Sequence, residues 1–306
     1  MHVTDYYGIP KPVPFLDVDV TKDKPMFVDP RAIRLSRQPQ PFAGQAVNCM
    51  ETFFHAISSC VVTGQPADAR RGLDLLQHFE EPWETRLGYA EEGFSGHGGA
   101  DEVGEWIWQA MKTDARALVD VGILTQIEDL PLFVEGVAED ITSDLTTRVI
   151  FEPLAAFTAD MLARYPQFTA GNHEKQKVAR QVWDPVAAKW TTADVELPIA
   201  DGKALLLVPR GWARPTLLMN AGRFYDTSLL SYAQSEQSSI TPNRRVLKPT
   251  KDALRKQEAL TRGRATILKV TLRAYDNGED LLRVFKSFVD SRYEPVPDAR
   301  IARKLR

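Results

Sequence analysis

Cysteine is scarce in this chain, with only Cys49 and Cys60 among 306 residues. They stand eleven positions apart in a segment of helical spacing, about 16 Å along an axis that rises roughly 1.5 Å per residue, so they cannot pair within it. Two buried apolar thiols in a reducing compartment are expected. CxxC and HExxH are both missing and the five histidines are scattered, which excludes a zinc site of the usual spacing. GxSxG is missing too, and His55 lies between the two cysteines on the same predicted helix, leaving nucleophilic catalysis without its partners. No run approaches the roughly 20 apolar residues that span a bilayer, and no charged-then-apolar leader opens the chain. The expectation is a cytoplasmic protein with no membrane partner. Internal repeats and low-complexity segments are absent.

What is present is a globular composition, 43% hydrophobic and 26% charged, enough for a sizeable core in one large domain or two ordinary ones. The net charge of -3 hides a strong asymmetry. From Asp74 to Asp144 there are 17 Asp and Glu against three basic residues, Arg86, Lys112 and Arg116. From Thr241 to Arg306 there are 17 Lys and Arg against eight acids. Such polarity marks a surface that faces nucleic acid, a basic tail lying across an acidic region, or solvated helix faces.

Along the chain, residues 1–40 alternate Pro and short apolar groups and read as an extended arm or edge strand. Helices are predicted over Phe42 to Val62, Ala67 to Phe79, Asp101 to Val121, Leu130 to Glu135 and Leu154 to Tyr165. Asn172 to Val178 reads as a loop. Asp201-Gly202, between Val195-Glu196-Leu197 and Ala204 to Val208, signals a β-hairpin. Thr250 is a candidate N-cap for Lys251 to Thr261, and an amphipathic helix is predicted near Glu279 to Phe288. The fold class is α+β, mostly helical with a small sheet in the second half. An acidic helical region, 1–166, and a region of hairpin plus basic helices, 179–306, are either two domains or parts of one.

The acidic stretch holds the segments that could carry chemistry. Gly93, Gly96, Gly98 and Gly99 precede a helix, as phosphate-cradling loops do, but the Lys of a P-loop is missing. The flanking Glu91, Glu92, Asp101 and Glu102 would repel a phosphate unless a cation intervened. His97 reads as a solvated loop residue. Glu81 and Glu84 are three apart and Asp140 and Asp144 four apart, so each pair would share a helix face. Mg²⁺ or Mn²⁺ takes oxygen ligands of this kind, and metal-assisted phosphodiester cleavage needs two or three such carboxylates. Against this, Thr142-Ser143-Asp144 is a strong N-cap signal. Lys203 stands as a catalytic candidate. Glu196 and Lys203 fall on opposite predicted strands, where a cross-strand ion pair is the plain alternative. Arg210, Arg255, Lys256, Arg262 and Arg264 are candidate phosphate contacts.

Two stretches resemble a family of uncharacterised bacterial proteins associated with mobile-element and phage-defence loci. They are Glu81-Pro82-Trp83-Glu84-Thr85-Arg86-Leu87-Gly88-Tyr89 with the glycines after it, and Glu139-Asp140-Ile141-Thr142-Ser143-Asp144-Leu145-Thr146-Thr147-Arg148-Val149-Ile150. The likeness extends more faintly from Trp183-Asp184 to Leu197-Pro198 and to Leu206-Leu207-Val208-Pro209. The resemblance implies a setting in defence and assigns no catalytic residue. The expected function is therefore a bacterial defence effector acting on nucleic acid, a nuclease with a divalent-metal carboxylate site. The alternative is a non-enzymatic subunit of a defence complex, binding nucleic acid or a partner protein through its basic C-terminal helices.

Overall fold

The computed structural model describes residues 1–78, 81–88 and 100–305. The glycine loop, with Gly93, Gly96, Gly98, Gly99, His97, Glu91 and Glu92, lies outside the described residues. Helix accounts for 55% of the described residues and strand for 13%, so the α+β expectation holds.

The N-terminal segment is not an extended arm. It folds as α1 (Val3–Tyr7), β1 (Phe27–Val28) and α2 (Pro30–Ser36). Its alternating apolar residues Val13, Phe15, Val18 and Val20 are all buried, so the pattern reflects burial in the core. Asp29 caps α2, accepting from the N–H groups of Arg31 and Ala32 at 2.9 and 3.1 Å, while Pro30 supplies the first helical turn. α3 (Phe42–Thr63) is the central rod. It buries Ala46, Cys49, Met50, Phe53, Ile57, Cys60 and Val61, and it ends at Gly64, whose φ of 63° is left-handed. Both cysteines are buried and free.

α4 (Pro66–Leu75) and α6 (Arg116–Asp120) pack beside it, and α5 (Ala100–Lys112) packs on α4 and α6. The continuous helix predicted over Asp101 to Val121 is thus broken in two. α7 (Leu130–Phe133), α8 (Glu139–Val149) and α9 (Phe151–Arg164) follow. The N-cap of α8 is Ala138, so Thr142, Ser143 and Asp144 lie inside the helix and cap nothing. Thr142 and Ser143 point inward instead, and Ser143 donates no cap but accepts from the Val28 N–H of β1 at 2.9 Å.

Sheet is concentrated in one long antiparallel hairpin, β2 (Lys175–Asp184) against β3 (Lys189–Ala200), in register from Lys175–Pro198 to Asp184–Lys189. The loop expected over 172–178 is therefore mostly strand. Asp201 and Gly202 do turn the chain, both with positive φ, but they join β3 only to the two-residue β4 (Lys203–Ala204). Leu205 to Val208 then run buried and extended through the core, with Leu206 N–H donating to Glu84 C=O and Leu207 N–H to the Thr158 hydroxyl. β5 (Ala213–Arg214) pairs with β1.

The remainder is α10 (Ala221–Phe224), running through one π turn into α11 (Leu230–Glu236), then the short hairpin β6 (Ser239–Ile240) and β7 (Val246–Leu247). α12 (Lys251–Arg255), α13 (Arg264–Asp276), α14 (Leu281–Ser291) and α15 (Asp298–Leu305) complete the order. Thr250 caps α12 as expected. One buried cluster runs from Val3 to Leu305, across the boundary considered between residues 166 and 179. Among the described residues no helix is long and apolar enough to cross a membrane.

Candidate carboxylate site and its surroundings

α8 sets the site. Asp140 and Asp144 stand four residues apart on it, so both project from one face of its first turns. Asp144 is half-buried, and its carboxyl is pushed well above the usual carboxylate range. Burial is the main cause, followed by the like charges of Asp140 and Glu81; Arg148 opposes the shift, and Asp23 adds to it. Asp140 Oδ1 lies 3.2 Å from the place a Cβ would occupy on Gly88, so the backbone leading toward residues 89–99 passes close to that carboxylate. Glu81, Asp140 and Asp144, drawn from two distant parts of the sequence, thus share one electrostatic neighbourhood. As the side chains stand, no group of three or more His, Cys, Asp or Glu among the described residues is arranged to hold a metal ion.

Glu84 has a different place. It is fully buried, its Oε1 accepts from Arg180 Nε at 2.7 Å, and its Oε2 lies 3.4 Å from Arg148 Nη2. Arg148 also donates to Glu81 C=O at 2.7 Å. The guanidinium groups of Arg86 and Arg180 lie over the exposed Trp83 ring, 5.6 and 5.7 Å from its centroid. Both oxygens of Glu84 are therefore committed to arginine, and its job is to hold the 81–88 segment against α8 and β2. Arg148 and Arg180 were not singled out from the sequence. Arg148 could have been, because it follows Asp144 by four residues on the same helix face.

Lys203 is exposed at the start of β4, and it is not among the charges that act most on Asp144. Glu196 pairs with Lys175 at 2.7 Å, diagonally across the β2–β3 hairpin, and not with Lys203. Arg210 is ion-paired with Asp298 of α15. Arg255 is held by Asp226 and Asp252 at 2.8 and 2.6 Å. Lys256 is exposed. Arg262 and Arg264 make no hydrogen bond or ion pair with the described residues, and both line one cavity beside α8.

Residues 9–220 match a family described as a domain of unknown function (DUF8370). The chain belongs to this family. No curated protein and no solved structure matches the chain. The DUF8370 match takes in Glu81, Asp140, Asp144, Lys203 and Arg210 and stops before Arg255, Lys256, Arg262 and Arg264.

Proposed function

We propose that this chain hydrolyses the phosphodiester backbone of nucleic acid with a divalent cation, Mg²⁺ or Mn²⁺, held by Asp140 and Asp144 with Glu81 at the rim. The observation that carries the reading is the gathering of Glu81, Asp140 and Asp23 about Asp144 on α8, whose carboxyl is raised by burial and by those three carboxylates. Perturbation of that kind collects at working sites, and a bound cation would reverse it. Mg²⁺ commonly uses only one or two carboxylates and keeps several waters, so a complete protein cage is not required. Such a cation would polarise the phosphoryl oxygen and activate a water. The chain's own part is to fix the two carboxylates on α8 through the Glu84–Arg148–Arg180 cluster. Action in defence against phage or other foreign DNA rests on the sequence resemblance alone, while a cytoplasmic setting is supported by the two buried, unpaired cysteines.

The test is a thermal melt with Mg²⁺, Mn²⁺ and EDTA, paired with incubation on plasmid DNA and total RNA. A metal-dependent rise in Tm with cleavage, both abolished in Asp140→Asn and Asp144→Asn, is the expected result. Unchanged melting together with intact substrates would sink the enzyme reading.

A second reading, a non-enzymatic subunit, is favoured by the β6–β7 hairpin. Ile240, Val246 and Leu247 are 74, 58 and 56% exposed there, beside the exposed Arg244, Arg245 and Lys248. Exposed apolar side chains rimmed by one sign of charge suit a partner protein or nucleic acid. Native mass measurement of the chain from its host would then find it mainly in a complex.

A further inference from the structure

On the flank of α8 opened by Glu139 lies a cavity of about 190 Å³. Arg262 and Arg264 line it together with Ala138, Glu139, Asn220 and Gly222. α8 and α13 both begin at this cavity, and neither has a side-chain N-cap, so their first backbone N–H groups are not bonded by a capping side chain. The two guanidinium groups find no hydrogen-bond or ion-pair partner among the described residues. The Nε of Arg264 is shut away from solvent with nothing to donate to. Burial holds Arg264 below its ordinary range; Arg262 pushes it the same way, while Glu135 and Glu139 pull against it.

Glu139 does not close the gap, since it forms no ion pair with either arginine. The lining therefore carries two cations against one carboxylate. Gly222 is part of the construction. A Cβ there would fall 2.0 Å from Arg262 Nη2, so the bare backbone is what lets that guanidinium lie against the start of α10. Asn220 spends its Oδ1 on the Arg223 N–H at 3.1 Å, which leaves its amide NH₂ as a further donor.

We infer that this cavity is a binding site for a phosphate monoester. Two unpaired guanidinium groups match the second negative charge that a monoester carries and a backbone phosphodiester lacks. A cavity of about 190 Å³ also takes a single phosphate and the start of its ester, not the side of a duplex. Free nucleotides and the 5′ end of a strand both present that chemistry. The inference does not depend on a metal at Asp140 and Asp144.

The test uses the full chain in EDTA, so that the carboxylate site cannot contribute. Titration by calorimetry would compare a short single strand bearing a 5′-phosphate, the same strand with a 5′-hydroxyl, and a nucleoside 5′-monophosphate. The expected result is at least about tenfold tighter binding of the phosphorylated strand than of its hydroxyl counterpart, the order of one charge-assisted hydrogen bond. Arg262→Ala should remove that preference while leaving Tm unchanged, because the side chain is exposed. Arg264→Ala should remove it too, and if that variant fails to fold, Arg262→Ala decides alone. Equal binding by the monophosphate and the phosphorylated strand would assign the site to free nucleotides, whereas a tighter strand would assign it to strand ends. Equal binding of the two strands, a preference that survives in Arg262→Ala, or no binding at all would overturn the inference.

Discussion

Glu84 and Asp144 show how differently two carboxylates from one acidic stretch can be used. Glu84 is fully buried but compensated by Arg148 and Arg180. Breaking such a pair strands charge in the interior. Glu84→Gln should therefore cost about 3–5 kcal/mol in a urea melt; a loss too small to measure would show that the arginines find other acceptors. Asp144 carries repulsion that Arg148 only partly offsets, and its effect on stability has the opposite sign. Asp29 and Asp129, both fully buried, are likewise raised to about 6, chiefly by burial. A carboxyl whose folded pKa is raised binds its proton more tightly folded than unfolded. Stability is then greatest below the unfolded pKa near 4 and falls as pH climbs through the folded value. The contributions of Asp29 and Asp129 to the unfolding free energy should decline between about pH 4 and pH 6, and Asp144, raised well above its ordinary range, should extend the decline as pH climbs through its own folded value. Asp144→Asn should raise Tm at pH 7 in EDTA and flatten that slope, even though it is expected to end cleavage. A lower Tm would mean that the ionised Asp144 is stabilised by something other than its protein neighbours.

At the scale of elements, the β2–β3 hairpin is anchored to α3 at the end that carries Trp183 and Trp190. Trp183 and Trp190 meet Phe53 edge-on, with centroids 5.1 and 5.7 Å apart, and Trp183 Nε1 donates to the Thr52 hydroxyl at 2.9 Å. Trp183→Ala should cost about 3–5 kcal/mol, with the hairpin gaining amide exchange before α3 does. α2 is fastened by charge instead. Arg31 grips Asp290 of α14 with both oxygens at 2.6 Å, Arg34 Nε lies 2.7 Å from the buried Glu128, and Lys286 of α14 donates to Asp129 at 2.8 Å. These elements also show where pattern reading fell short. Helix spacing in α3 was legible because a long rod buries one continuous stripe. The strand over 175–178 was not, since those β2 residues are mostly exposed and polar and their pairing is set by β3, whose Leu197 and Pro198 are buried opposite them. Thr142-Ser143-Asp144 has the composition of a cap, yet tertiary contacts recruit Ser143 to β1 inside the helix.

At the scale of the whole molecule, the DUF8370 match ends at residue 220 but the core does not. Phe224, Leu229, Leu230 and Phe285 are fully buried in the same cluster as α3 and α9. Asp290 and Lys286 of α14 pair with Arg31 and Asp129 of the N-terminal part. A fragment of residues 1–220 is expected to lack a cooperative thermal transition and to aggregate in size-exclusion chromatography. A sharp two-state melt of that fragment would show instead that the C-terminal helices are an addition to a self-sufficient fold. The basic excess of residues 241–306 is also partly consumed at this scale: Arg255 and Arg273 are ion-paired, as is Arg210 upstream, whereas Arg262 and Arg264 are not.

Sequence alone determined what local pattern can carry: the helical stripe of α3, the Thr250 cap, the turn at Asp201-Gly202, the two unpaired cysteines, and the face shared by Asp140 and Asp144. Each rests on residues close together in the chain, where helix period or turn chemistry acts directly. Only the tertiary structure decided which charges are spent. Glu84 met two arginines 64 and 96 positions away, Glu81 came to lie near Asp144, and Arg262 with Arg264 closed on the start of α8. A charge reads the same in the sequence whether paired or free; its partner is chosen by packing between segments that the sequence holds far apart.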